Sequence, residues 1–237
     1  MATPRHRQSP ESDVPVQPDA FADVPDPRRL VDRRTVYRGR IWDVVSDTFT
    51  LGQDDGATLV RDYIAHPGAV AILAMDPEGR VLLLKQYRQP AEMSLWEIPA
   101  GLLDLDGEDF VDAAARELAE EADLVAGRWN VLVDFFNSPG SSSEAIRIYL
   151  ARDLSEVPED QRHERTEEEA EIEHLWVSLD DAVDAVMAGR LHNPSAVAGL
   201  LAAARAAGTG FDNLRPADAP WPEHPSQRPG AAGSGRD

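Results

Sequence analysis

Cysteine is absent from all 237 residues, which excludes disulfides, thiolate catalysis and cysteine-based zinc sites. Lysine is nearly absent as well: of 23 basic side chains only Lys85 is a lysine, a bias of composition that does not mark Lys85 as an active amine. No apolar run approaches the roughly 18 residues that a membrane-crossing helix needs. The opening residues MATPRHRQSP lack an apolar core segment. No membrane partner and no signal peptide are therefore expected, and a cytoplasmic location is the default. Positive charge is scarce too. A formal net charge of −20 argues against nonspecific nucleic-acid binding, which relies on a basic face. It leaves open a nucleotide substrate, because metal ions and a few local arginines can carry phosphates.

The chain is long enough for one ordinary domain plus extras, and a hydrophobic content of 42% suffices to bury a core. Proline concentrates at the ends. Pro4, Pro10, Pro15, Pro18, Pro25 and Pro27 fall in residues 1–30, and five more fall in 212–237 among Gly, Ser and Ala. Residues 1–30 and 209–237 are therefore expected to be disordered tails. Trp221 is read as a loose tail tryptophan rather than as a cap over an apolar surface.

Between the tails, alternation of β-branched and aromatic with polar residues predicts a hairpin over 35–39 and 42–51 and a third strand over 57–64. These lie in a small N-terminal β region, 31–66, that cannot form a core alone. Strands at 70–74 and 80–84 flank Asp76-Pro77-Glu78-Gly79, where Pro sits correctly for a type I turn, so a second hairpin is expected. Further strands are predicted at 130–136, 145–151 and 175–177. Ser178, with Asp181 three residues on, caps a helix over 179–188 that Gly189 stops, and an alanine-rich helix runs from Pro194 to Gly208. The main domain then spans 67–208.

The most informative stretch is GLLDLDGEDFVDAAARELAEEADL, residues 101–124. If 109–122 is helical, at about 100° per residue, then Val111, Ala114, Ala115, Leu118 and Ala122 share one stripe, and Glu117, Glu120 and Glu121 share another. Like charges three and four residues apart repel by roughly 0.2–0.5 kcal/mol per pair, so three glutamates this close need water, cations or a bound metal. Hard oxygen donors suit Mg²⁺ or Mn²⁺.

The spacing goes further. Glu108, seven residues, Arg116-Glu117-Leu118, one residue, Glu120-Glu121, one residue and Leu124 resemble the Nudix box of nucleoside-diphosphate hydrolases, G-x5-E-x7-R-E-U-x-E-E-x-G-U with U aliphatic. Agreement at five charged and two aliphatic positions arises by chance in about one such chain in a thousand or fewer. Two departures exist: Gly101 stands one residue further from Glu108 than the pattern asks, and Asp123 replaces the closing glycine. The loop 101–107 can absorb the extra residue. Asp is among the few non-glycine residues that tolerate the left-handed helix terminus. Its negative charge near a metal site predicts that Asp123→Gly tightens Mg²⁺ binding.

Trp96-Glu97-Ile98-Pro99-Ala100-Gly101 ahead of the box, Pro139 after it, Leu191-His192-Asn193-Pro194 and the N-terminal hairpin resemble the ADP-ribose pyrophosphatase branch, over roughly 33–207. The resemblance implies an α/β fold: a Nudix-type α/β/α sandwich with a mixed sheet, preceded by a small antiparallel β piece. It implies hydrolysis of ADP-ribose to AMP and ribose 5-phosphate by a homodimer that exchanges its N-terminal strands. The alternatives are the same chemistry on GDP-mannose, FAD, NADH or a diadenosine polyphosphate, or a nucleotide sensor without catalysis. Retention of all four box glutamates favours catalysis.

By the same resemblance, Glu117, Glu121 and the backbone carbonyl of Ala100 hold metal, Glu120 is a further ligand, and Arg116 orients a box glutamate. Glu108 holds the loop and the helix start. The general base falls among Glu167, Glu168 and Glu169, in the acidic loop 157–171, with Glu168 favoured by its distance from Trp176-Val177-Ser178. Arg61 and Arg88 match positions where relatives hold phosphate or ribose, although either could be a surface ion pair. Glu97 contacts adenine or ribose, or else buttresses the loop. His66 and His192 are assigned to loop packing.

Overall fold

The structure, a computed structural model, describes residues 21–52, 56–165 and 172–228. Residues 1–20 of the expected N-terminal tail and 229–237 of the C-terminal one lie outside the described residues. The first sheet joins β1 (Leu30–Tyr37), β2 (Asp43–Thr50) and β3 (Thr58–Ala65) in antiparallel order. Its first strand begins at Leu30, earlier than its charged sequence suggests, because Arg33 stands opposite Asp47 and donates to both carboxylate oxygens, at 2.7 and 2.6 Å. Every residue of β1 is exposed, and for Arg33 the hydrogen bond to Asp47 outweighs the opposing desolvation.

The chain continues through β4 (Ala69–Ala74), β5 (Arg80–Arg88), β6 (Met93–Glu97), β7 (Ala100–Leu102) and helix α1 (Phe110–Ala122). After α1 come β8 (Leu124–Phe136), β9 (Ala145–Glu156), β10 (Glu173–Ser178), α2 (Leu179–Met187), α3 (Pro194–Ala207) and β11 (Arg215–Pro216). The central sheet has the order β11-β8-β9-β4-β7, and β5 pairs with β10 and β6 in a separate sheet. Only β4 and β9 run parallel within the central sheet, so the sheet is mixed.

The expected hairpin of β4 with β5 does not form. Both edges of β4 are taken, by β9 and β7, and its six positions are all buried, which leaves β5 a single bridge, Met75 to Val81, before it leaves for the other sheet. The turn between them is as read: the Gly79 amide donates to the Asp76 carbonyl at 3.0 Å.

The core follows from the period of two along β4. Val70, Ile72 and Ala74 point to a cluster with Ala113, Ala114 and Leu118 of α1, and Ala71 and Leu73 point to one with Leu179, Ala182, Ala196 and Leu200. With α1 on one face and α2 and α3 on the other, the architecture is the α/β/α sandwich. Burial of Leu118 alone contributes about 1.5–3 kcal/mol. Ser178 accepts from the Asp181 amide at 3.1 Å, and Asn193 from the Ala196 amide at 2.9 Å, as caps of α2 and α3.

The C-terminal expectation needs correction. Residues 209–228 are not a loose tail: β11 pairs with β8, and Trp221 is only 3% exposed. Proline-rich composition is overcome here by a few strong anchors. Buried Arg147 donates to the carbonyls of Ala219 and Pro220 at 2.7 and 3.2 Å and stacks on Trp221, which also meets Phe110 edge-on.

Candidate active site

α1 presents its apolar side to β4 and turns its carboxylates toward β7 and the loop before the helix. Ala113, Ala114 and Leu118 are the buried residues, so the inward stripe is centred slightly differently from the expected one, with Ala113 replacing Ala115. Outside it, Arg116 is the hub. Its Nε and Nη2 donate to the two oxygens of Glu108 at 3.0 and 3.1 Å, and Nη1 reaches Glu117 at 2.5 Å and Glu120 at 3.3 Å. Four charged residues of the box therefore form one cluster. Hydrogen bonding to Glu108 raises the Arg116 pKa further, against the opposing effect of burial. Glu108 reaches Arg116 across the helix start.

The fourth glutamate faces the same strand. Glu121 accepts from the Ala100 amide at 2.9 Å. Glu117 lies over Gly101, where a Cβ would sit 1.9 Å from its carboxylate carbon. Glycine is thus required at 101 for contact, at the one box position that is shifted in sequence. Ala100 and Gly101 are held in place by β4, through the pairs Ala71–Ala100 and Val70–Gly101.

At the far end of α1, Asp123 adopts φ 55°, ψ 34°, the left-handed terminus expected of the residue that replaces glycine. Its charge is compensated, however. Arg165 donates from Nη2 to Asp123 Oδ2 at 2.6 Å and from Nε to the Glu120 carbonyl at 2.9 Å. This removes the basis for expecting Asp123→Gly to tighten metal binding by loss of a bare charge. The same end is secured by Val157, whose amide donates to the Asp123 carbonyl at 2.8 Å, and by His174, whose Nε2 lies 2.8 Å from the Glu121 carbonyl. Sequence reasoning missed Arg165 and His174, because neither stands at a fixed spacing from the box.

The remaining candidates divide. Arg88 and Glu97 come together in a two-pronged ion pair at 2.9 and 2.8 Å, with Glu97, the last residue of β6, buried. Arg61 stays on the exposed N-terminal sheet, where Nη1 donates to the Val60 carbonyl at 2.8 Å. That sheet is tied to the loop after β8 by the Ile64 amide donating to Ser141 and the Ser143 amide to Ile64. Glu167, Glu168 and Glu169 lie outside the described residues. Lys85 pairs with Glu173 at 3.0 Å, in keeping with a surface role. His66 is buried beside Trp42 and accepts from the Gly68 amide at 3.1 Å, a packing role as read; burial lowers its pKa although Glu144 opposes this.

The donor set is all oxygen: Glu117, Glu120, Glu121 and the backbone around Ala100. Such donors suit a hard divalent cation, and Glu117 and Glu121 already converge on Ala100–Gly101. Among the described residues no three carboxylates or histidines yet close on a single point, since Arg116 occupies the centre of the cluster.

Residues 65–197 match the NUDIX domain family. The chain belongs to the Nudix family. It is 40% identical over 196 residues to the ADP-ribose pyrophosphatase of Mycobacterium tuberculosis, covering 83% of this chain and 92% of that one. It is 34% identical to the ADP-ribose pyrophosphatase of Bacillus subtilis, over 67% of this chain and 82% of the relative. The methanol dehydrogenase activator of Bacillus methanolicus is 31% identical over 71% of this chain and 88% of its own length. Among solved structures, one titled as an ADP compounds hydrolase superposes with a TM-score of 0.64 at 20% identity, covering 80% of this chain and 99% of that one. That likeness supports the Nudix sandwich described above. Use of divalent metal ions is general in this family.

Proposed function

We propose that this Nudix-family chain hydrolyses ADP-ribose, adding one water across the pyrophosphate so that a P–O bond breaks and AMP and ribose 5-phosphate form. The observation that carries the reading is the 40% identity to an ADP-ribose pyrophosphatase along 92% of that enzyme. The complete carboxylate set on α1 agrees with catalysis rather than with binding alone.

Glu117, Glu120, Glu121 and the Ala100 carbonyl would hold Mg²⁺ or Mn²⁺, which when bound would supply neutralisation of phosphate oxygens and a more acidic water. The chain's own groups do the rest. Arg116 holds Glu108, Glu117 and Glu120 together in fixed orientations, which spares the reaction the work of reorganising them. Glu108 holds Arg116. A glutamate among Glu167, Glu168 and Glu169 takes the proton from water, because carboxylates engaged by a cation are poor bases. Arg88 and Arg61 bind the anionic or ribose part of the substrate, and Glu97, through its ion pair with Arg88, sets the direction of that guanidinium.

The active form is a homodimer in the cytoplasm. Supporting the dimer, Leu30, Val31, Val36, Tyr37 and Ile41 expose 46–65% of their surface on or beside β1, an apolar area that a second copy can cover.

The test is product analysis with purified protein on ADP-ribose, GDP-mannose, NADH, FAD and diadenosine polyphosphates, with and without Mg²⁺ or Mn²⁺. Metal-dependent AMP release that is fastest from ADP-ribose and lost in Glu121→Gln is the expected result. Faster cleavage of another compound overturns the substrate, and binding of ADP-ribose without cleavage overturns the hydrolase.

A further inference from the structure

Asp123 stands where the Nudix box has glycine, and its carboxylate does something glycine cannot. Arg165 forks between that carboxylate, at 2.6 Å, and the Glu120 carbonyl, at 2.9 Å. The Asp123 carbonyl receives the Val157 amide, and the Glu121 carbonyl faces His174 Nε2. The last carbonyls of α1 are thereby satisfied by residues 157, 165 and 174, all from beyond β9. Two of those carbonyls belong to Glu120 and Glu121. The backbone of each is held from the loop side while its carboxylate serves the cluster with Arg116 and Ala100.

We infer that Asp123 and Arg165 form a positioning pair that locks the end of α1 to the chain after β9 and so sets where the Glu120 and Glu121 carboxylates stand for metal binding. The inference rests on the metal role proposed for those glutamates. Charge alone and positioning make opposite claims at Arg165. If the pair acted only through its field, removing Asp123 would leave Arg165 uncompensated and weaken cation binding, whereas removing Arg165 would leave Asp123 uncompensated and strengthen it. If the pair acts by holding the helix end, both removals loosen the same carbonyls and both weaken binding. Groups that orient a ligand from behind typically change metal affinity by about 10–100-fold.

The experiment is titration of metal-free protein with Mn²⁺, counting the free ion by its electron paramagnetic resonance signal. The variants are Asp123→Gly, Arg165→Gln, Arg165→Lys and the double Asp123→Gly/Arg165→Gln. Glycine is the residue best suited to φ 55°, so Asp123→Gly is expected to fold. Arg165→Lys keeps the charge and loses the fork.

The expected result is a dissociation constant raised about tenfold in both single removals, raised in Arg165→Lys, and no higher in the double variant than in either single. Amide exchange at Val157 should accelerate in the same variants without metal. Shifts of opposite sign in the two singles with restoration in the double overturn the inference, as does an unchanged constant in all four. AMP release by the unaltered protein is read alongside. Its absence overturns the hydrolase reading while the Mn²⁺ series still decides the pair.

Discussion

The Arg147 guanidinium lies 4.7 Å from the centre of the Trp221 ring, and the two residues are 1% and 3% exposed. Arg147 also holds Asp134 with two hydrogen bonds, at 2.8 and 3.0 Å, so its charge is buried but paired. A strand residue of the central sheet thus clamps the C-terminal segment over the start of α1. Trp221→Ala should destabilise the protein by about 3–5 kcal/mol, the usual loss for a buried large aromatic. Urea unfolding followed by circular dichroism measures this; a midpoint unmoved by the substitution would mean that the segment does not dock.

The same segment sets a pH dependence. His224 is 1% exposed beside Phe110 and Trp221, and burial lowers its pKa to about 4. Arg228 and Arg147 push it the same way, and the Pro67 carbonyl opposes them. Because the folded value lies below the ordinary histidine value near 6.5, the unfolded chain binds the extra proton first, and stability falls as pH drops from about 6.5 toward 4. The loss is on the order of 2–3 kcal/mol by pH 4. Thermal melts between these limits should lose much of their slope in His224→Asn. An identical slope in that variant would assign the effect elsewhere.

Much of this molecule is legible in its sequence, and the limits have physical causes. The stripe of α1 is legible because burial on a regular helix imposes a period, whereas the two faces of β4 are not, since all six of its residues are apolar and buried. The cluster of Glu108, Arg116, Glu117 and Glu120 was visible because all four sit on or beside one helix, where spacing fixes proximity. The short strands β6 and β7 escaped, since three to five residues show too little periodicity, and the C-terminal segment escaped because single anchors such as Trp221 hold it without any period. Arg165 lies 42 residues from Asp123, and only the fold brings them together.

Arg116 should matter more than its principal partner. Arg116→Gln leaves Glu108, Glu117 and Glu120 without their shared cation, and like charges then drive the carboxylates apart. We predict that kcat/KM for ADP-ribose falls by about 10–100-fold, with a higher Mg²⁺ requirement. Glu108→Gln keeps the Arg116 contacts to Glu117 and Glu120 and should lose less. Steady-state kinetics across a Mg²⁺ series separates the two, and full activity in Arg116→Gln would remove Arg116 from the proposed machinery.

Gly101 offers a steric test of the same site. The methyl of Gly101→Ala would fall 1.9 Å from the Glu117 carboxylate carbon, and a side-chain end moves more readily than the paired backbone of β7. Glu117 should therefore swing away while the fold survives. A displacement of that kind lowers turnover by about a hundredfold when the group is needed in one geometry. Near-native melting together with unimpaired AMP release would sink the assignment of Glu117.

The exposed face of β1 carries the last prediction. Val36 and Tyr37 expose 56% and 65% of their surface, and no residue of β1 is buried. A small sheet whose edge strand is paired on one side only is a ready template for a second copy. Charges placed there meet each other across a two-fold interface, so Val36→Glu/Tyr37→Glu should convert dimer to monomer in sedimentation equilibrium. Because the α1 cluster lies on the separate sandwich, Mn²⁺ affinity should stay within about a factor of two to three while kcat/KM falls, if the partner's strands complete the substrate site. A wild-type chain that sediments as a monomer would refute the dimer directly.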